Sequence, residues 1–105
     1  MVNNYNKPNT LRQFNELKVK YQNALLLFRV GSSYETYRED ARIVSQKLGL
    51  RLFVKGGQAM TTFPHYEIDK YLPILVRAGH RIGLCEQLES PKENKPRQLM
   101  LPFEA

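Results

Sequence analysis

Leu11, Phe14, Leu17 and Tyr21 recur at three- and four-residue intervals with polar or basic residues between them, which predicts a helix ending near Gln22. Thr10 followed by Gln13 has the spacing of a capping box at its start. Ala24–Val30 is then an almost unbroken apolar run, too short for a helix and closed by Gly31, and reads as a buried strand. Helical spacing resumes through Tyr34, Tyr37, Ala41, Val44 and Leu48 and stops at Gly49. Ser32 and Glu35 are spaced as a second capping box, so the pattern predicts a helix opening at Ser32. Residues 50–55 and 60–63 read as two strands joined by a turn at Gly56-Gly57, a hairpin pattern. Ile68, Tyr71, Leu72, Leu75 and Val76 share one helical face ahead of Gly79, with Pro73 predicting a kink or a late start. Residues 81–87 form a last core strand around Ile82, Leu84 and Cys85, and Pro91 to Pro96 read as a linker.

Strands alternating with helices in 105 residues predict one α+β domain, a two-layer α/β arrangement with about three helices packed on a mixed sheet. The expected organisation is a folded unit at 1–88 and a flexible tail at 89–105. Charge sharpens the picture. The formal charge is +6, and the last eighteen residues carry three basic and three acidic side chains, so the whole surplus belongs to the folded part. A basic domain suits a polyanionic partner, bound through phosphate neutralisation. A single cysteine excludes an internal disulfide and a four-cysteine zinc site, and no apolar run is long enough to span a bilayer. A cytoplasmic protein without membrane contact is expected.

Little points to catalysis. His65 and His80 stand apart, with no ligand spacing and no evident nucleophile to serve, and Cys85 within an apolar strand reads as an inert thiol. No phosphate-binding Gly-x-x-x-x-Gly-Lys-Ser/Thr loop occurs, so neither ATP nor any other cofactor is expected, and the protein is read as a non-enzyme.

The stretch Leu26-Leu27-Phe28-Arg29-Val30-Gly31-Ser32-Ser33-Tyr34-Glu35 resembles the signature of the MutS DNA mismatch repair family, a hydrophobic strand followed by Gly-Asp-Phe-Tyr-Glu. Asp40-Ala41, Lys55-Gly56, Phe63-Pro64-His65-Tyr66 and Cys85-Glu86-Gln87 match further on, in order, so the resemblance to the family's N-terminal mismatch-recognition domain (domain I) covers about residues 11–87. It implies that family's mixed α/β fold and binding to double-stranded DNA. In the family, a phenylalanine wedges beside a mispaired base and a glutamate two residues on hydrogen-bonds to it. Here Glu35 is kept and Ser33 stands at the phenylalanine position, which puts mismatch preference in doubt because a hydroxymethyl cannot replace aromatic stacking. Tyr34, on a helix about 100° from Ser33, is a poor substitute.

Each candidate has a plainer role beside the functional one. Gly31 could lead into a phosphate-binding helix N-terminus or be a tight turn. Glu35 could read a base or cap a helix. Tyr34 and Tyr37 read as core. Arg29, Arg51 and Lys55 are candidates for phosphate contact, Lys55 with support from a basic residue at the comparable family position. The C-terminal Gln98-Leu99-Met100-Leu101-Pro102-Phe103 resembles the bacterial sliding-clamp-binding peptide, with Gln98, Leu99, Leu101 and Phe103 as its anchors; the alternative is an arm folded back on its own domain. Two functions follow: a DNA-binding module related to mismatch recognition, or an interaction protein acting at the clamp or in a repair complex without useful DNA binding.

Overall fold

A computed structural model describes residues 10–86 and 98–101. The elements are α1 (Thr10–Lys20), β1 (Ala24–Val30), β2 (Ser33–Tyr37), α2 (Arg38–Leu48), β3 (Phe53–Lys55), β4 (Gln58–Pro64), α3 (Ile68–Arg77), β5 (Arg81–Glu86) and β6 (Gln98–Leu101). The six strands form one sheet in the order β3-β4-β2-β1-β5-β6. β1 and β5 run parallel and every other pair is antiparallel, so the sheet is mixed as expected.

The apolar run of β1 fills both faces of this sheet. Leu26 and Phe28 pack with Phe14 of α1, Tyr37, Met60 and Cys85 on one side. Leu25 and Leu27 pack with Val44 of α2 and with Phe63, Tyr71, Leu75 and Ile82 on the other. Neighbouring strand residues point to opposite faces, so a central strand covered on both sides needs apolar residues at every position. The helices therefore divide between the two faces, and the sheet is the middle of three layers rather than one of the expected two.

The chief correction concerns Ser33–Tyr37. The predicted helix from Ser32 begins only at Arg38, and the five residues before it are a strand between β1 and β4, with Val30 opposite Ser33 and Phe28 opposite Glu35. Ser32 and Glu35 make no capping box. Gly31-Ser32 is a two-residue hairpin turn, with Gly31 at φ 62, a positive value at the first central position that a type II′ turn requires. No helix opens at Gly31, so there is no helix N-terminus at that glycine to receive a phosphate. The misleading period has a physical explanation: Tyr34 packs on Phe63 in one core while Tyr37 packs on Phe14 in the other, as strand residues of opposite parity must.

Other boundaries shift less. The strand expected at 50–55 is reduced to Phe53–Lys55, and α1 ends at Lys20. α3 begins at Ile68, ahead of Pro73, so the late start is not what occurs. Gly56 and Gly57, at φ 61 and 77, give the β3–β4 hairpin the two positive values of a type I′ turn.

At the end of β2 the chain passes from one face to the other through Arg38, the one non-glycine residue with positive φ among those described, at 59. Two residues on, Asp40 is buried at the start of α2, where its carboxylate accepts the Leu26 backbone N–H at 3.1 Å. The β1–β2 register ends at Phe28 and Glu35, so Asp40 takes the place of the next rung. Lys18 Nζ reaches the same carboxylate at 2.9 and 3.0 Å and also donates to the Ala24 carbonyl. One lysine thus ties α1, β1 and α2 together. Burial raises the Asp40 carboxyl above its ordinary 3.8, with Lys18 and the Leu26 N–H opposing the shift.

Candidate nucleic-acid interface

On β2, Ser33, Glu35 and Tyr37 alternate with Tyr34 and Thr36, so the first three share the sheet face that carries α1. Tyr37 is buried against Phe14, ring centroids 5.5 Å apart and nearly perpendicular. Its phenol donates a short hydrogen bond to Glu35 Oε1. Burial first, and then the adjacent carboxylate, raises the phenol well above its ordinary pKa, so it remains a donor at any physiological pH.

Glu35 is held from a second direction by Lys55, whose ammonium lies 3.4 Å from the same Oε1. The carboxylate side chain is 13% exposed and the lysine 55%. Both contacts fall on one oxygen, and among the described residues no hydrogen bond reaches Oε2. Lys55 is the last residue of β3, directly before the Gly56-Gly57 turn, and its side chain reaches across to Glu35 on β2. Glu35 therefore caps no helix: it is a pinned carboxylate with an oxygen to spare, two residues from Ser33 on the same face.

The other basic candidates are placed differently. Arg29 lies opposite Tyr34 and folds along the turn, its Nε donating to the Gly31 carbonyl at 2.7 Å. Arg51 stands ahead of β3, its carbonyl accepting from Thr61 Oγ1 at 2.7 Å and its guanidinium 5.8 Å from the Phe53 ring centre. Glu35 and Lys55 are thus brought into contact, with Ser33 on the same face as Glu35, while Arg29 lies at the hairpin end and the Arg51 side chain leans on Phe53. Sequence reasoning missed the hairpin's other neighbour. Pro64 pairs with Ser33, and the His65 N–H donates to the Ser32 carbonyl at 2.8 Å, which fixes the short 3-10 turn His65–Glu67 beside Gly31-Ser32. The motif Phe63-Pro64-His65-Tyr66 was legible; its position beside the hairpin was not.

Cys85 is buried, and burial pushes its thiol up to about 12, which keeps it protonated. Among the described residues no group of three His, Cys, Asp or Glu could hold a metal ion, and no helix is long and apolar enough to cross a membrane. Of the proposed clamp peptide, Gln98, Leu99 and Leu101 belong to β6, paired antiparallel with β5 from Cys85 opposite Gln98 to Ile82 opposite Leu101. Phe103 and the linker lie outside the described residues.

A small mixed α+β domain is the architecture that the sequence resemblance implied, the Gly31-Ser32 hairpin standing where a helix start was expected. The family model for MutS domain I matches residues 8–101, and the chain belongs to that family. It is 49% identical over 90 residues to the DNA mismatch repair protein MutS of Cytophaga hutchinsonii, a match covering 81% of this chain and 10% of the relative. The corresponding proteins of Phocaeicola vulgatus and Porphyromonas gingivalis are 50% and 47% identical over 90 residues, with the same coverage. The chain therefore spans about a tenth of the length of these relatives.

Proposed function

We propose that this domain is a non-enzymatic DNA-binding module related to mismatch recognition, which engages duplex phosphates through its basic side chains and presents Glu35 to a distorted base pair. The observation that carries this reading is Glu35 itself: a carboxylate pinned through one oxygen by Tyr37 and Lys55, with the other oxygen able to accept a hydrogen bond. A base-reading acceptor must be held before the base arrives, or its ordering cost is subtracted from the contact. Membership of the MutS domain I family and the +6 charge support the same reading. Lys55, in contact with Glu35, is the cation best placed for a backbone phosphate beside that carboxylate, and Arg29 at the hairpin end and Arg51 ahead of β3 would reach phosphates farther out.

Ser33 carries no ring, so it adds no wedge to this face. Fluorescence anisotropy with matched, mismatched and single-base-bulged duplexes at two salt concentrations tests the reading. Binding that weakens as salt rises is expected. Ser33→Phe should raise the preference for the bulged duplex by roughly tenfold, the size of one base–aromatic stack. No binding to any duplex at low salt would overturn the proposal and leave the adaptor reading.

That second reading rests on Gln98–Phe103 as a sliding-clamp peptide. A segment paired with β5 cannot lie in a clamp groove at the same time, so clamp binding would require β6 to leave the sheet. Clamp pull-down that survives the double change Gln98→Ala, Phe103→Ala would remove the tail from consideration.

A further inference from the structure

We infer that Tyr66 is the aromatic surface on which an unpaired base stacks at this site, the role for which Ser33 has no ring; the inference rests on the DNA-binding reading above. Tyr66 is 73% exposed, whereas Phe14, Phe28, Tyr37, Phe63 and Tyr71 are buried. An aromatic ring left in water on a rigid turn has its stacking face available without any rearrangement. Its position is fixed by two contacts. The His65 N–H to Ser32 carbonyl bond anchors the 3-10 turn to the hairpin, and the His65 imidazole meets the Tyr66 ring edge-on, with centroids 5.9 Å apart.

The surroundings suit a nucleotide. Ser33 pairs with Pro64, the residue directly before this turn, so the hydroxyl at 33 and the ring at 66 belong to the same end of the sheet. Arg29 folds against the Gly31 carbonyl of the same hairpin and gives that end a cation for the flanking phosphate. A ring, a cation and a hairpin edge are the elements of a stacking platform that accepts any base, because every base offers a π face. The ligand is therefore a base already out of the stack, as in a single-base bulge; a paired base would first have to be unstacked.

The test uses a matched duplex and one carrying 2-aminopurine as a single bulged base, with the unaltered chain, Tyr66→Ala and Tyr66→Phe. The unaltered chain should bind the bulged duplex roughly three- to tenfold more tightly than the matched one and change the 2-aminopurine emission on binding. Tyr66→Ala should lose both the preference and the emission change while binding matched duplex unchanged, and Tyr66→Phe should keep both. Because the side chain is exposed, neither variant should alter the thermal unfolding midpoint. Equal binding to the two duplexes by the unaltered chain, or a preference that persists in Tyr66→Ala, overturns the inference while leaving the DNA-binding reading intact. Absence of binding to either duplex overturns both.

Discussion

The two ends of the β1–β2 ladder solve opposite problems. At one end the strands part, and the chain must satisfy a backbone donor, turn a corner and join two faces of the sheet. It does so with a buried carboxylate, Asp40, bonded to Leu26 N–H and Lys18, next to Arg38 in a left-handed conformation. At the other end Gly31-Ser32 closes the hairpin in a two-residue turn, with Arg29 donating to the Gly31 carbonyl, and neither Ser33 nor Arg29 is buried there. The contrast separates charge that holds the fold from charge available to a ligand. A carboxylate with a side chain 4% exposed and a lysine at 28% cannot change partners without cost, whereas Lys55, at 55%, can turn from Glu35 to a phosphate.

The largest effect is expected where the buried tie is cut. Asp40→Ala should destabilise the domain by about 2–4 kcal/mol, because it orphans the Leu26 N–H and leaves Lys18 half-buried without its partner. Chemical denaturation measures this directly, and a loss under about 1 kcal/mol would mean that water replaces the carboxylate. A second experiment varies pH. Asp40 is lifted above 3.8 in the folded chain, so folding favours its protonated form: the contribution of this group is full below about pH 3.8 and declines as pH rises through the lifted value. The stability difference between the unaltered protein and Asp40→Asn should therefore move toward the variant as pH rises from about 4. Movement in the other direction would show that the Lys18 pairing outweighs burial.

A smaller effect belongs to the middle of β2. Thr36 is fully buried, and its Oγ1 is the one buried side-chain polar atom among the described residues without a hydrogen-bond partner. Thr36→Val keeps the shape and removes the orphan, and should be neutral or stabilising by up to about 1 kcal/mol in thermal unfolding. The smallest stability change is expected at the open end: Ser33→Phe, which should alter bulge preference, should leave the unfolding midpoint almost where it was.

The sequence spoke clearly where one signal stood alone. The apolar run of β1, the Gly-Gly turn before β4, the amphipathic stripe of α3 and the apolar core of β5 all appear near their expected positions, and mixed pairing on a helix-covered sheet followed from them. It misled where two periods overlapped. Ser33–Tyr37 carries apolar side chains at a spacing that runs smoothly into Ala41 and Val44, so β2 and α2 read as one helix. Two local features favoured the strand: the β-branched and aromatic content of Tyr34, Thr36 and Tyr37, and the Gly31-Ser32 turn. For the candidate site, family resemblance singled out Ser33, Glu35 and Lys55, and the structure adds the contact between the last two. The Tyr37–Glu35 bond was hidden because a helix puts those residues on different sides, and the Lys18–Asp40 tie and the placement of Tyr66 depend on contacts between distant segments that no local pattern records.

The parallel pairing of β1 with β5 also governs how the chain reaches this state. Ala24 meets Arg81, so the central strand acquires one of its two neighbours only after nearly all the intervening chain is available. The β1–β2 and β3–β4 hairpins are local and can form on the microsecond scale of about 1–10 μs, whereas closing the long loop to β5 carries the main entropic cost and sets the slow step. A nascent chain that has not yet delivered Arg81–Glu86 holds its Gly31-Ser32 hairpin on one side of a strand whose other edge is still open.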